Sequence, residues 1–213
     1  MSLLPRASPP RPGFESVSKL LSNVVRGSCL GRKAVLDLAN APALFFAPFV
    51  SSTMRVEPQW IDHNQHLNMA YYNVLMDRAI DELFALIGLG PTYVAGRGGT
   101  TFTAECHVMY RRELTVGEPV RTTIQLIDFD DKRLHTYEEL RHANEGWLSA
   151  TSENVSLHVD VETRKVAPFP ADIMANLALL KAAHMKLALP EFLGRLMGVP
   201  RKGATSVREH ARG

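Results

Sequence analysis

Residues 69–87 read MAYYNVLMDRAIDELFALI, and this stretch decides the fold class. Its apolar side chains recur three and four positions apart over more than four turns, which predicts an amphipathic helix. Gly88 and the pair Gly90-Pro91 predict where that helix ends. The apolar stripe is long enough that a sheet is expected to cover it. The stripe consists of Met69, Tyr72, Leu75, Met76, Ala79, Ile80, Leu83, Phe84 and Ile87.

The segments on either side of this helix carry the signals of β-strands. Residues 46–60 are predicted to be extended, and after residue 100 the apolar residues recur with a period of two. Short polar turns separate strands at 101–110, about 120–127, 133–142 and 147–161, which indicates antiparallel hairpins. A second helix is predicted at about 170–187. The order predicts an α+β domain in which one long helix packs on one antiparallel sheet. Two inward rows are expected, one of Phe102, Ala104, Cys106, Val108 and Tyr110, the other of Val120, Thr122, Ile124 and Leu126.

Charge divides the 213-residue chain into three segments. The first 50 residues carry six Lys and Arg against two acidic residues, and the last 19 carry five against one. We therefore predict a basic, disordered N-terminal extension at 1–45, a folded domain at 46–190 and a basic C-terminal tail at 191–213. The chain as a whole is only +2, so its middle is net acidic. A net-acidic domain argues against a nucleic-acid partner.

Composition also bears on location. No apolar run reaches the roughly 20 residues of a membrane-spanning helix, and two cysteines far apart exclude a disulfide scaffold. Both features predict a cytoplasmic protein. The first 33 residues are rich in Ser and Arg and nearly free of acidic residues, like a mitochondrial transit peptide, so a mitochondrial location is the alternative. A tail added by an upstream start codon, or a solvated arm, explains the same composition.

The segment before the long helix, WIDHNQHLN at 60–68, carries the chemistry. Asp62, Asn64, His66 and Asn68 alternate just before a helix N-terminus, where unpaired amides and the helix dipole favour negative charge. A carboxylate beside an imidazole, a carboxamide and free amides suits acyl transfer. A structural interpretation stays open, in which Asn68 is only an N-cap and the others are turn residues. No metal site is predicted, because the histidines of this segment lack a second ligand cluster.

The turn, helix and strands of residues 50–175 resemble the hotdog-fold acyl-thioesterases. The segment at 62–68 looks like the D-x-N-Q-H-x-N stretch of plant acyl-[acyl carrier protein] thioesterases, and Tyr110-Arg111-Arg112-Glu113 looks like their Y-R-R-E stretch. The longer W-I-D-x-N-x-H-x-N form, with DKRLH at 131–135, is closer to small bacterial enzymes of the 4-hydroxybenzoyl-CoA thioesterase type. Within these it looks most like thioesterases of carnitine and betaine breakdown. Many bacterial members have Gly at the position of Gln65.

The resemblance implies hydrolysis of an acyl-CoA thioester without a metal or redox cofactor. It assigns Asp62 as nucleophile or general base, Asn64 to orient water or the carbonyl, and His66 to assist by hydrogen bonding or proton transfer. Backbone amides at the start of the helix would polarise the carbonyl. Glu113 is a further catalytic candidate, although a surface salt bridge with Arg111 or Arg112 explains it equally well.

The resemblance also implies substrate contacts and an assembly. Asn68 is expected to contact the substrate. From their nearness to the motif in sequence, four aromatic residues are expected to frame the acyl group, with a place in the core as the alternative, namely Trp60, Tyr71, Tyr72 and Phe102. Lys132 and Arg133, or the pair at 164–165, are expected to contact coenzyme A phosphates, with a solvated hairpin end as the alternative. Sheets of this family pair edge to edge, which implies a homodimer or homotetramer.

Two other functions fit the same resemblance. One is a non-catalytic protein that binds acyl thioesters, which would have no reason to keep a carboxylate at Asp62. The other is a hotdog enoyl-CoA hydratase or dehydratase. Those enzymes have a D-x-N-P-x-H spacing, whereas here Gln65 follows Asn64 and His66 comes two positions after it.

Overall fold

A computed structural model of the chain describes residues 47–199. The predicted extension at 1–45 and the end of the predicted tail lie outside the described residues. The elements are β1 Phe49–Val50, β2 Met54–Arg55, a 3₁₀ turn at Pro58–Trp60, α1 Met69–Ile87, α2 Pro91–Arg97, β3 Gly99–Tyr110, β4 Pro119–Phe129, β5 Arg133–His142, β6 Leu148–Asp160 and α3 Ala171–His184.

Helix α1 has the bounds that the sequence predicts. The side chain of Asn68 caps it by accepting a hydrogen bond from the amide of Ala70 over 3.0 Å. Gly88 ends it at a φ of 90°, a left-handed conformation that costs glycine nothing. The rest of the apolar stripe is buried, but Met69 is 65% exposed because it stands at the mouth of a cavity. The helix packs on β4 and β5.

One antiparallel sheet covers the helix, as predicted. Its strand order is β1-β4-β5-β6-β3, and β2 also pairs with β4. The inward row of β4 is confirmed, since Val120, Thr122, Ile124 and Leu126 are all at most 2% exposed. The α+β architecture of the hotdog resemblance is therefore present. Strand β3, twelve residues long, forms one edge of the sheet.

The row predicted along β3 is wrong at its beginning. The pairing with β6 shifts between Thr103 and Glu105, which is a β-bulge. The bulge turns Phe102 to the outer face, where it is 58% exposed, while Thr103 and Cys106 border the same internal cavity. A bulge adds one residue to one strand. Even-numbered side chains before the bulge therefore point to the opposite face of the sheet from even-numbered side chains after it.

Two short elements also differ from the expectation. The extended segment at 46–60 is interrupted, since Pro58–Trp60 forms a 3₁₀ turn that begins at proline. Helix α2 was not predicted, because seven residues are too few for a helical period to show. The predicted tail is not separate from the domain at its start. The amide of Gly194 donates to Glu153 over 2.7 Å, and Phe192 packs under the guanidinium of Arg111.

Candidate active site

The loop between β2 and α1 closes on itself. The amide of Asp62 donates to the carbonyl of His66 over 2.9 Å, and the amide of Gln65 donates to the carbonyl of Asp62 over 3.0 Å. Gln65 has a φ of 65°, in the left-handed region that favours glycine. The loop therefore needs at this position a conformation that glycine adopts without a steric cost, and glutamine adopts it at some cost.

The carboxylate of Asp62 is held from one side only. Its Oδ1 accepts the amide of Asn64 at 2.8 Å and the amide of His66 at 3.5 Å. Its Oδ2 has no hydrogen-bond partner among residues 47–199. The carboxylate is half-buried. One oxygen is thus fixed by backbone donors, and the other is available to a substrate or a water molecule.

The start of α1 presents a free amide to the same region. The amide of Ala70 bonds to the Asn68 side chain, and the amide of Tyr71 bonds to the Asn68 carbonyl over 3.0 Å. The amide of Met69 takes no acceptor among the described residues. It lies at the positive end of the helix dipole, where a developing negative charge is stabilised.

A cavity of about 480 Å³ brings these groups together. The loop and the segment after β3 are joined there by the amide of Leu67, which donates to the carbonyl of Leu114 over 2.8 Å. Three predicted site residues meet at this cavity, namely Asp62, Asn68 and Glu113. The remaining lining residues are Leu67, Met69, Tyr72, Tyr110, Arg111 and Arg112.

Two tyrosines form a wall of this cavity, and of the two the sequence did not point to Tyr110 as part of a site. Tyr72 and Tyr110 meet edge to face with ring centroids 5.0 Å apart, and the hydroxyl of Tyr110 donates to the carbonyl of Met69 over 3.2 Å. Burial raises the pKa of both phenols above the ordinary value, so both rings are neutral at physiological pH. The signal was present, since Tyr72 belongs to the helical stripe and Tyr110 opens the Y-R-R-E stretch.

The arrangement suits addition to a thioester carbonyl. Asp62 and Met69 both line one cavity, and within residues 47–199 Asp62 has one free carboxylate oxygen and Met69 has an unpaired amide at a helix N-terminus. Comparison with known proteins agrees with this chemistry, because residues 56–177 match the thioesterase-like superfamily. The chain belongs to the thioesterase-like superfamily.

Individual relatives of this thioesterase are similar over most of the described domain. A betainyl-CoA thioesterase of Pseudomonas aeruginosa is 37% identical over 68% of this chain and 91% of its own length. An L-carnitine dehydrogenase/betainyl-CoA thioesterase of Rhizobium meliloti is 35% identical over 69% of this chain and 29% of its own length. A Staphylococcus aureus protein solved in complex with CoA has a TM-score of 0.68 and 28% identity, covering 75% of this chain and all of that one. The hotdog fold that the sequence predicted is confirmed.

Not every predicted site residue lines the cavity of this thioesterase. The side chains of Asn64 and His66 are exposed, and both residues contribute backbone amides to Asp62 instead. Trp60 is 5% exposed in the core and stacks on Tyr71 with ring centroids 5.4 Å apart. The catalytic roles of Asn64 and His66, and the substrate contacts of Trp60 and Tyr71, stay predictions.

The basic residues divide between the two ends of the sheet. Lys132 and Arg133 lie at the β4–β5 hairpin, at the end of β5 opposite His142, whereas the cavity lies near the end that contains Leu114 and Tyr110. Arg133 pairs with Asp130 at 2.7 Å and lowers the pKa of that carboxyl. Within one chain, the structure therefore does not bring these two side chains to the site, and their contact with coenzyme A stays a prediction.

Arg111 and Arg112 stand at the cavity itself. The salt bridge considered for Glu113 is not among the ion pairs of residues 47–199. Arg112 stacks over Trp147 at 4.0 Å and Arg111 over Phe192 at 4.8 Å. Among residues 47–199 neither guanidinium group has an ion-pair partner, and both residues line the cavity. In the described part of the chain, no group of three or more His, Cys, Asp or Glu side chains is placed to hold a metal, and no helix there is long and apolar enough to cross a membrane.

Proposed function

We infer that this protein is an acyl-CoA thioesterase whose reaction takes place in the cavity between Asp62 and the start of α1. It hydrolyses an acyl-CoA thioester to a free carboxylate and coenzyme A. The observation that carries the assignment of the site is that Asp62 and Met69, whose amide has no acceptor among residues 47–199, line the same cavity. The thioesterase relatives support the reaction class.

The chemistry follows from these two groups. As general base, the carboxylate of Asp62 takes a proton from water while the water oxygen adds to the thioester carbonyl. The carbonyl oxygen becomes an oxyanion, which the amide of Met69 stabilises. Collapse of the tetrahedral intermediate breaks the carbon–sulfur bond, and the thiolate takes up the proton and leaves as coenzyme A. As nucleophile, Asp62 would instead form a mixed anhydride, which water then cleaves to the same products.

The thioester carrier is proposed to be coenzyme A. The S. aureus neighbour was solved with CoA, and the P. aeruginosa relative is a betainyl-CoA thioesterase. The guanidinium groups of Arg111 and Arg112 stand at the cavity and suit phosphate recognition, because each presents several donors in a fixed plane. These two arginines are better placed for the phosphates of a substrate bound to the same chain than Lys132 and Arg133.

A panel of acyl-CoA thioesters tests this function. Thiol release is followed with an aromatic disulfide reporter, with betainyl-CoA in the panel and the matching acyl carrier protein thioesters alongside. The expected result is turnover of at least one CoA thioester, with one thiol released for each carboxylate formed. Binding of acyl-CoA without thiol release from any member would overturn the proposal and favour a non-catalytic binder.

We further propose that two chains pair through β3. This twelve-residue edge strand carries exposed apolar side chains, with Phe102 58% and Tyr110 44% exposed, and an unpaired edge of this length favours association. Light scattering on the full chain is expected to give twice, or four times, the chain mass of 23.6 kDa. A proline in place of Ala104 removes an amide at the edge and is expected to weaken the pairing, and a monomeric wild-type protein would contradict it.

A further inference from the structure

A second cavity, of about 430 Å³, lies between α1 and the sheet. The helix contributes Asn73 and Asp77, and β6 contributes Ser152 and Asn154. On β6 the serine and asparagine side chains are buried towards the helix, whereas Val155 and Leu157 are only half-buried on the other face. A sheet that buries its polar row against a helix and turns apolar residues outward has the reverse of the ordinary pattern.

Glu138 is a buried acidic residue beside this polar row. It comes from β5, borders the cavity and is 2% exposed. Its Oε1 accepts a hydrogen bond from Asn154 over 2.9 Å, and Asn154 in turn accepts one from Ser152 over 2.8 Å. Its Oε2 is buried and has no hydrogen-bond partner among residues 47–199. A carboxylate taken out of water with one oxygen unpaired costs free energy unless a ligand satisfies it.

The charges around this cavity have one sign. Asp77 borders it as a second carboxylate, and none of its lining residues in the described chain is Lys, Arg or His. Burial raises the pKa of Glu138 to about 8, and the nearby charge of Asp77 adds to the rise. An external cation that entered the cavity would reverse both effects, because it favours the charged form of the carboxylate.

The second cavity neighbours the one beside Asp62 along both α1 and β3. Met69 and Tyr72 border the first cavity, and Asn73 and Met76 border the second, about one helical turn further along α1. On β3 the two cavities are bordered by Tyr110 and by Cys106, on the same side of the strand. The second cavity therefore lies where an acyl group that extends from the helix start along α1 would be placed.

We propose that the cavity around Glu138 is the acyl subsite and that Glu138 selects acyl groups that carry a positive charge, such as a trimethylammonium group. The inference rests on the proposed thioesterase function and adds a residue that determines specificity. A trimethylammonium group donates no strong hydrogen bond, so a carboxylate within a polar cavity recognises it by charge and shape. Asp77, nearer solvent, adds attraction along the entry.

The test compares each cationic acyl-CoA with its neutral carbon isostere, in which a quaternary carbon replaces the nitrogen. Betainyl-CoA forms one pair, and a homologue longer by two methylenes forms a second pair that probes depth. Wild-type enzyme is expected to prefer the cation in kcat/KM by at least about tenfold in one of the pairs. Glu138→Gln is expected to reduce that preference to near one while it retains hydrolysis of the neutral isostere.

Two further variants distinguish the effect of a negative charge at the cavity from the effect of a negative charge elsewhere on α1. Asp77→Asn is expected to reduce the preference by a smaller factor. Asp81→Asn removes the same charge from the same helix at a residue outside the cavity, and it is expected to leave the preference unchanged.

The outcomes distinguish the two proposals. If the enzyme hydrolyses neither these four thioesters nor any other acyl-CoA, the proposed function itself is overturned. Equal hydrolysis of cation and isostere by wild-type enzyme in both pairs overturns the subsite alone, as does an undiminished preference in a folded Glu138→Gln protein.

Discussion

The backbone amide of Asn64 donates a hydrogen bond of 2.8 Å to Oδ1 of Asp62 and fixes the position of that carboxylate. The sequence presents these two residues as partners through their side chains, but the contact in the structure uses the backbone of Asn64. A backbone donor positions the carboxylate and leaves Oδ2 for chemistry. It also means that the backbone of the loop positions the proposed catalytic carboxylate.

Asp62→Asn is expected to lower kcat by on the order of 100-fold or more, because the variant loses the nucleophile or general base. Its Oδ1 still accepts the same amides, so the midpoint of thermal unfolding should be retained, and KM should change much less than kcat. Thioester hydrolysis and thermal melting are measured on the same preparation. Asp131→Asn, at the far end of the sheet, serves as the matched control with full activity. An active but destabilised Asp62→Asn protein would show that the residue is structural.

Asn64→Ala separates side chain from backbone. The variant keeps the amide that binds Asp62, so we expect the free energy of unfolding to stay within about 0.5 kcal/mol of wild type. If the carboxamide orients water or the carbonyl as the resemblance implies, kcat falls, but by less than in Asp62→Asn. An unchanged kcat would show that Asn64 contributes only through its backbone amide.

Gln65→Gly is expected to stabilise the protein by roughly 0.5–1 kcal/mol, because glycine adopts the φ of 65° without a steric cost. Urea unfolding measures the change. Gln65→Ala is the matched control, since alanine keeps the unfavourable conformation and should give no gain. A loss of stability in the glycine variant would mean that the glutamine side chain stabilises the loop by more than its backbone costs.

Glu138→Gln is expected to change how stability depends on pH. Burial raises the pKa of Glu138 from 4.5 to about 8, so the folded chain keeps a proton that the unfolded chain releases in that window. The free energy of unfolding of the wild type therefore falls as pH rises from about 4.5 to about 8, relative to a variant without this titration. We expect the variant to gain roughly 2–4 kcal/mol on the wild type across the window.

Urea unfolding of both proteins at about pH 5 and about pH 9 measures that difference. Other titrating groups are shared by the two proteins and cancel in the comparison. A difference in the free energy of unfolding between the two proteins that stays constant from about pH 5 to about pH 9 would contradict this prediction. It would show that Glu138 is already ionised in the folded chain and that its charge is tolerated in the cavity without a bound cation.

A chain that begins at Ala47 is expected to fold and to keep its turnover, since the site and the described domain lie beyond residues 1–46. A chain that begins at Thr53 is the matched control, because it loses β1 and the hydroxyl of Ser51 that accepts the amide of Thr122 over 3.0 Å. The first should match the full chain in kcat and melting temperature, and the second should melt lower. Loss of activity in the Ala47 chain would place part of the extension within the functional domain.

Local patterns were sufficient for α1, for the long strands and for the loop that carries Asp62. The stripe at 69–87, the cap at Asn68 and the stop at Gly88 act over at most a few residues, so the helix bounds follow from the sequence. The same holds for β5, whose bounds at 133–142 are set by the polar turns on either side. Family resemblance then supplied the catalytic role that we predict for Asp62, because its motif is contiguous in the sequence.

Contacts between distant strands decided the rest. The bulge after Thr103 appears only when β3 pairs with β6, and it alone determines that Phe102 faces outward while Cys106 faces the cavity. The sequence does not show how far Lys132 and Arg133 lie in space from the motif at 60–68. The length of β5 places them at the far end of the sheet. Glu138 and Asn154 meet because their strands are neighbours in a register that no local pattern encodes. Burial of a polar side chain is a property of such non-local packing, so the cavity around Glu138 became visible only in the tertiary structure.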